Sequence, residues 1–180
     1  RALSWSALHA DDGSFRGPGL RDGWAYARVS DPAGEVLLLE ARGHTAVVVD
    51  GVTRGGDVYS TGWVRTPFVA RPGGTDLFLR TGRGRLSAQV SYPPAPIFLE
   101  DRDATLPDFV RGRLDLLHGS VVMVNATDRA QPELFVTCTA EFHTGAQQYL
   151  STVRVPLLQP LEARKLTVPL PFYFEFDESD

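Results

Sequence analysis

Apolar side chains in this chain fall in short runs, often on alternate positions, and Gly, Pro, Asn or Asp interrupts one run after another. That rhythm predicts half-buried strands joined by turns. Trp24–Val29 and Glu35–Ala41 read as two strands around the turn Ser30-Asp31-Pro32-Ala33-Gly34, and Val36–Leu39 is too short for a helix between such breakers. Ala46-Val47-Val48-Val49-Asp50-Gly51-Val52 predicts a tight hairpin, because Asp-Gly between β-branched residues supplies two positions that accept positive φ. A strand through Val64, Phe68 and Val69 leads to the turn Arg71-Pro72-Gly73-Gly74. Leu77-Phe78-Leu79, then Leu86, Ala88 and Val90 alternating with Ser87 and Gln89, close a first domain. Upstream, Trp5, Phe15 and Leu20 are isolated anchors in a segment expected to wrap that domain.

Tyr92-Pro93-Pro94-Ala95-Pro96 cannot continue a central strand, since three prolines remove backbone donors. The expected organisation is a first domain over 1–92, a proline-rich docked linker over 93–108 and a second domain over 109–180. Four strands are predicted in the last part: Ser120–Asn125, Glu133–Phe142, Tyr149–Leu158 and Lys165–Phe176. In the second of these Leu134, Val136, Cys138, Ala140 and Phe142 share one face; in the third Val153, Val155 and Leu157 do. The final strand places Phe172, Phe174 and Phe176 on one side and two prolines on the other, the pattern of an edge strand. Those three rings either feed their own sandwich or form a docking strand covered by a further domain.

Composition reinforces an all-β reading. Gly 17 and Pro 13 are high for 180 residues, and 43% hydrophobic residues suffice for one sizeable core or two small ones. A net charge of −4, with no basic block, argues against nucleic acid as partner. The densest basic stretch, Arg80, Arg83 and Arg85, reads as a solvated turn or an anion contact. Lone Cys138, on an inward-facing position, excludes an internal disulfide. No stretch has the length of a membrane-spanning helix, and the start at Arg1 rather than a methionine suggests a piece of a longer protein.

No complete active site is legible. The Gly-x-Ser-x-Gly turn of an α/β-hydrolase nucleophile is missing, and His9, His44, His118 and His143 lack zinc-ligand spacing. Asp101 and Asp103 do not have EF-hand spacing, and no metal or cofactor is expected. Asn125-Ala126-Thr127 fits the N-glycosylation pattern. What stands out is an aromatic and polar set around the hairpin, His44, Tyr59, Trp63 and Arg65, with Asp57 in the intervening glycine loop. Rings beside fixed polar groups suit a surface for a sugar or a neighbouring domain, and they equally suit the end cap of a sandwich.

Gly43-His44-Thr45-Ala46-Val47-Val48-Val49-Asp50-Gly51, followed by Gly55-Gly56-Asp57-Val58-Tyr59 and Gly62-Trp63, resembles the galactose-binding-like jelly-roll domains appended to bacterial secreted hydrolases. The second half, with Val124-Asn125-Ala126-Thr127 and Val155-Pro156-Leu157-Leu158-Gln159-Pro160-Leu161, looks like the immunoglobulin or fibronectin type III-like modules that serve such enzymes as spacers. The resemblance implies two β-sandwiches forming a non-catalytic accessory region of a secreted or periplasmic hydrolase, an α/β-hydrolase esterase or peptidase being one such parent. It implies a catalytic domain of the same polypeptide as partner, with carbohydrate binding through the aromatic loop residues as the alternative.

Overall fold

The computed structural model describes residues 4–108, 117–141 and 148–170, and the chain divides into two compact units, Arg1–Pro96 and Ile97–Asp180. The first holds β1 (Ala10–Asp11), β2 (Ser14–Arg16), β3 (Trp24–Val29), β4 (Val36–Arg42), β5 (His44–Val49), β6 (Val52–Gly55), β7 (Arg65–Val69), β8 (Thr75–Thr81) and β9 (Arg85–Ser91); from β3 onward they follow the predicted runs, whereas β1 and β2 arise in the segment expected only to wrap the domain. They form two antiparallel sheets, ordered β1-β2-β9-β4-β7 and β3-β8-β5-β6. Leaving aside short β1, the strands pass between the sheets so that β2, β4, β7 and β9 lie in one, and β3, β5, β6 and β8 in the other. This interleaving of two Greek keys is the strand order of a jelly roll.

Period-two alternation turns Leu37, Leu39 and Ala41 of one sheet toward Val47, Val49, Leu77 and Leu79 of the other, and Phe68 and Leu86 complete the same core. Asp50 (φ 50°) and Gly51 (φ 78°) both take the left-handed region, pairing Val49 with Val52 across a two-residue turn. The turn after β7 is stapled by Thr75. Its buried hydroxyl donates to the Val69 carbonyl at 2.7 Å and accepts from the Arg71 amide at 3.1 Å.

The second unit holds β10 (Ile97–Thr105), β11 (His118–Asn125), β12 (Phe135–Glu141), β13 (Gln148–Arg154) and β14 (Ala163–Pro169). Order β10-β11-β14 makes one antiparallel sheet and β12-β13 a second. Met123, Leu166 and Val168 of the first meet Val136 of the second in a common core with Val155 and Leu158, so this unit too is built from two sheets around one interior. Cys138 packs against that core as a free thiol.

Two expectations fail here. The stretch 93–108, read as a linker, supplies β10, which pairs with β11 from Ile97↔Asn125 to Thr105↔Ser120 through an irregularity after Glu100. Glu100, Asp101, Arg102 and Asp103 looked like a solvated connection, yet charge is what an edge strand carries to deter pairing with other chains. β10 is such an edge, with the prolines just before it. Leu157, expected inward, is 49% exposed. β13 ends at Arg154, and Leu158 takes the core position by bridging to Gln131. Of the long final alternation, Leu166, Val168 and Leu170 are buried; Phe172, Phe174 and Phe176 lie outside the described residues, as does His143.

Candidate functional site

The five residues singled out at the hairpin occupy three different environments. β5 begins with a register irregularity between His44 and Ala46, which turns His44 toward the interior opposite Thr81. His44 is 1% exposed. Neither ring nitrogen has a protein hydrogen-bond partner among the described residues. Burial drives its pKa below the ordinary histidine value, against a smaller opposing pull from the Asp57 carboxylate. The ring is therefore held neutral.

Asp57 roofs this position. It is buried, and its carboxylate accepts from the Thr61 amide at 3.0 Å, the Thr61 hydroxyl at 3.1 Å and the Gly62 amide at 2.5 Å. These bonds shape the loop of residues 56–64 between β6 and β7. Gly56 lets that loop descend: a Cβ there would sit 2.6 Å from the Thr45 carbonyl carbon and 2.8 Å from His44 Cδ2. Gly62 (φ 77°) does likewise against Arg42, whose Nε would lie 2.1 Å from an added Cβ. Both glycines thus serve the chain's own packing.

Fixed in this way, the loop presents Tyr59 at 85% and Trp63 at 42% exposure. Arg83, in the neighbouring β8–β9 connection, donates to the Val58 carbonyl at 3.3 Å. Arg65 stands apart from the set. It belongs to β7, opposite Glu40 in the ladder, and pairs with that carboxylate at 3.4 Å, while Ser91 also donates to Glu40 at 3.1 Å. The structure therefore brings His44 and Asp57 together in the interior, leaves Tyr59 and Trp63 facing out, and commits Arg65 to Glu40. Tyr59 does not cap the sandwich.

The other motifs resolve structurally. Arg85 donates to the Ser14 hydroxyl at 3.0 and 3.3 Å while Arg83 reaches Val58, so these two arginines serve different loops. Asp103 pairs with Lys165 at 2.9 Å, and no cluster of potential metal ligands occurs among the described residues. Asn125 is fully buried, with its amide donating to the carbonyls of Arg129 (2.7 Å) and Gln159 (2.9 Å) and its carbonyl accepting from the Thr127 amide and hydroxyl (3.0 and 2.7 Å). The Asn-x-Thr pattern is here a turn motif turned inward, inaccessible to a glycosyltransferase in the folded chain.

Sequence reasoning missed a second aromatic group, Trp5, Trp24 and Tyr26. On β3 the signal was legible in Trp24-Ala25-Tyr26-Ala27, where the large rings occupy one face and alanines the other. Ala25 is buried, so the rings face out.

No protein-family model matches the chain, and no curated protein matches it. Solved structures similar to it include two crystal structures of a GH2 β-galacturonidase from Eisenbergiella tayi, one bound to galacturonate and one to glycerol. The first shows 15% identity and a TM-score of 0.34, the second 14% and 0.32. Each alignment covers 88% of this chain and 29% of that enzyme, so the chain spans less than a third of the enzyme's length. Strand order and core, independently of this likeness, define an all-β chain with a jelly-roll first unit.

Proposed function

We propose that the chain is a non-catalytic accessory region of a larger, exported hydrolase, in which a galactose-binding-like first unit and an immunoglobulin-like second unit support a catalytic domain of the same polypeptide. The supporting observation is the loop of residues 56–64. Its polar groups are spent on holding the loop, while Tyr59 and Trp63 are left facing out on a fixed frame. His44 and Asp57, the best candidates for acid–base chemistry in that region, are a buried neutral ring and a structural acceptor, neither open to a substrate.

On this reading Trp63 is the anchor of the contact with the neighbouring domain, as large aromatic side chains commonly are. In the full-length parent protein, Trp63→Ala should weaken docking by about 2 kcal/mol and expose the interface to limited proteolysis, with the isolated chain unchanged in melting temperature. Unaltered protease resistance of full-length Trp63→Ala overturns the assignment. Export is tested by the compartment in which the parent accumulates.

A further inference from the structure

The antiparallel strands of the first unit gather their ends in two places. At one of them β2, β4, β6 and β8 finish while β3, β5, β7 and β9 start. This end is basic. Arg16 and Arg42 are the last residues of β2 and β4, Arg85 is the first of β9, Arg80 sits one residue before the end of β8, and Arg21 and Arg83 lie in the connections between strands. All six are exposed. Residues 14–24, 41–46, 55–64 and 80–87, which make up this end, include only two carboxylates, Asp22 and the buried Asp57. None of the six arginines pairs with a carboxylate among the described residues. The opposite end of the same unit is neutralised: Arg71 meets Asp50 at 3.0 Å and Arg28 meets Asp76 at 3.7 Å.

The basic end carries a cost that the first unit does not offset. Arg16 and Arg85 are direct ladder partners, and like charges facing each other across an antiparallel pair destabilise it. Arg85 turns its guanidinium to the Ser14 hydroxyl at 3.0 and 3.3 Å, and Arg83 donates to the Val58 carbonyl at 3.3 Å. Gly84 (φ 73°) leaves room for the Arg21 stem, whose Cγ would lie 3.1 Å from an added Cβ. Those partners are all neutral. They fix where the charges stand and leave them uncompensated. Arg83 at Val58 and Arg42 against Gly62 also touch loop 56–64, so the basic end is continuous with the loop that presents Tyr59 and Trp63.

Resting on the docking reading of that loop, we infer that the basic end is the charged margin of the same contact, and that the neighbouring domain meets it with a patch of Asp and Glu carboxylates. An aromatic anchor with polar and charged groups around it is a common layout of protein interfaces, and an arginine fork matches a carboxylate two bonds at a time. The extent of the charge sets the class of partner. A nucleic acid or an anionic lipid surface carries its charge well beyond this end and would meet a chain whose net charge is −4, whereas an acidic patch on a domain meets the arginines alone.

The test uses the full-length parent protein, with the rate at which a protease separates this chain from the neighbouring domain as the measure of docking. Arg16→Gln, Arg21→Gln and Arg80→Gln are combined, because none of these side chains donates a hydrogen bond among the described residues and loop 56–64 therefore keeps its frame. The triple variant should undock about tenfold more readily at about 50 mM NaCl. Raising NaCl to about 500 mM should release the unaltered protein to a similar degree and the variant far less. In the isolated chain the triple variant should melt at the same temperature as the unaltered one or higher, because Arg16 no longer faces Arg85. The two readings fail separately. If Trp63→Ala speeds cleavage while the triple variant and salt do not, the acidic contact is overturned and the docking loop stands. If the triple variant and salt speed cleavage and Trp63→Ala does not, the acidic contact stands without that anchor; if none of them does, both readings fall. Tighter binding of the isolated chain to decathymidylate or to phosphatidylglycerol vesicles than to decaglutamate also overturns the inference.

Discussion

Each unit buries a polar side chain at the end of a strand, and the two are treated in opposite ways. Asn125, closing β11, has both faces of its amide engaged: it donates to Arg129 and Gln159 and accepts twice from Thr127. His44, opening β5, is equally buried, yet its nitrogens meet no protein partner among the described residues. A fully paired buried amide fixes the loops that pair with it. An unpaired buried imidazole fixes nothing and costs free energy for each polar atom withdrawn from water. Asn125 is therefore a structural node, whereas His44 is a tolerated load whose neutral state the fold requires.

The largest test of this contrast is Asn125→Ala. It removes the acceptor of the Thr127 amide and the donor to the Gln159 carbonyl, while the Arg129 carbonyl keeps the Thr127 hydroxyl at 3.1 Å, so a loss of about 3 kcal/mol is expected. Chemical denaturation of the second unit, followed by its amide signals, measures it. A cost under 1 kcal/mol would mean that the node is not what holds those loops.

Asp57→Ala probes the roof over His44. Three accepted bonds disappear, and a loss of about 2 kcal/mol should accompany faster hydrogen exchange at the Thr61 and Gly62 amides. Retained protection at both amides breaks the claim that Asp57 shapes the loop.

The smallest effect at neutral pH is expected from His44→Leu, which removes the unpaired nitrogens while keeping an apolar body in place. Stability at pH 8 should stay within about 1 kcal/mol of the unaltered chain or rise. Its signature is in pH dependence. The folded chain holds His44 below the ordinary value of 6.5, so below that pH the unfolded chain binds the proton better. The contribution is complete above pH 6.5 and is lost as pH falls toward the folded-state pKa, by up to about 1.4 kcal/mol per pH unit. His44→Leu should flatten this slope in melting temperatures measured from pH 8 to pH 5. An unchanged slope would place the titration elsewhere.

The candidate site was only partly legible. Exposure of Tyr59 and the loop around Asp57 follow from a glycine-rich segment after a tight hairpin, and the sequence pointed there. That Arg65 would leave the group was not visible, because its partner Glu40 comes from β4, and only the pairing of β4 with β7 brings them together. The basic end was half legible for a related reason. Arg80, Arg83 and Arg85 are close in sequence, whereas Arg16 and Arg42 join them only because β2 and β4 both pair with β9.

What the sequence determined alone is whatever local chemistry decides. Asp50-Gly51 set a two-residue turn because both residues accept positive φ, alternation set which face of β4, β8, β12 and β14 is buried, and glycines and prolines punctuated nearly every strand. Tertiary structure decided what depends on partners distant in the chain. It made Ile97–Thr105 an edge strand instead of a linker, because only pairing with β11 distinguishes a charged edge from a charged connection. It turned an Asn-x-Thr motif inward, because the carbonyls that satisfy it arrive from Arg129 and Gln159. It also gathered six exposed arginines at one end of the first unit, because strands distant in sequence start and finish there together.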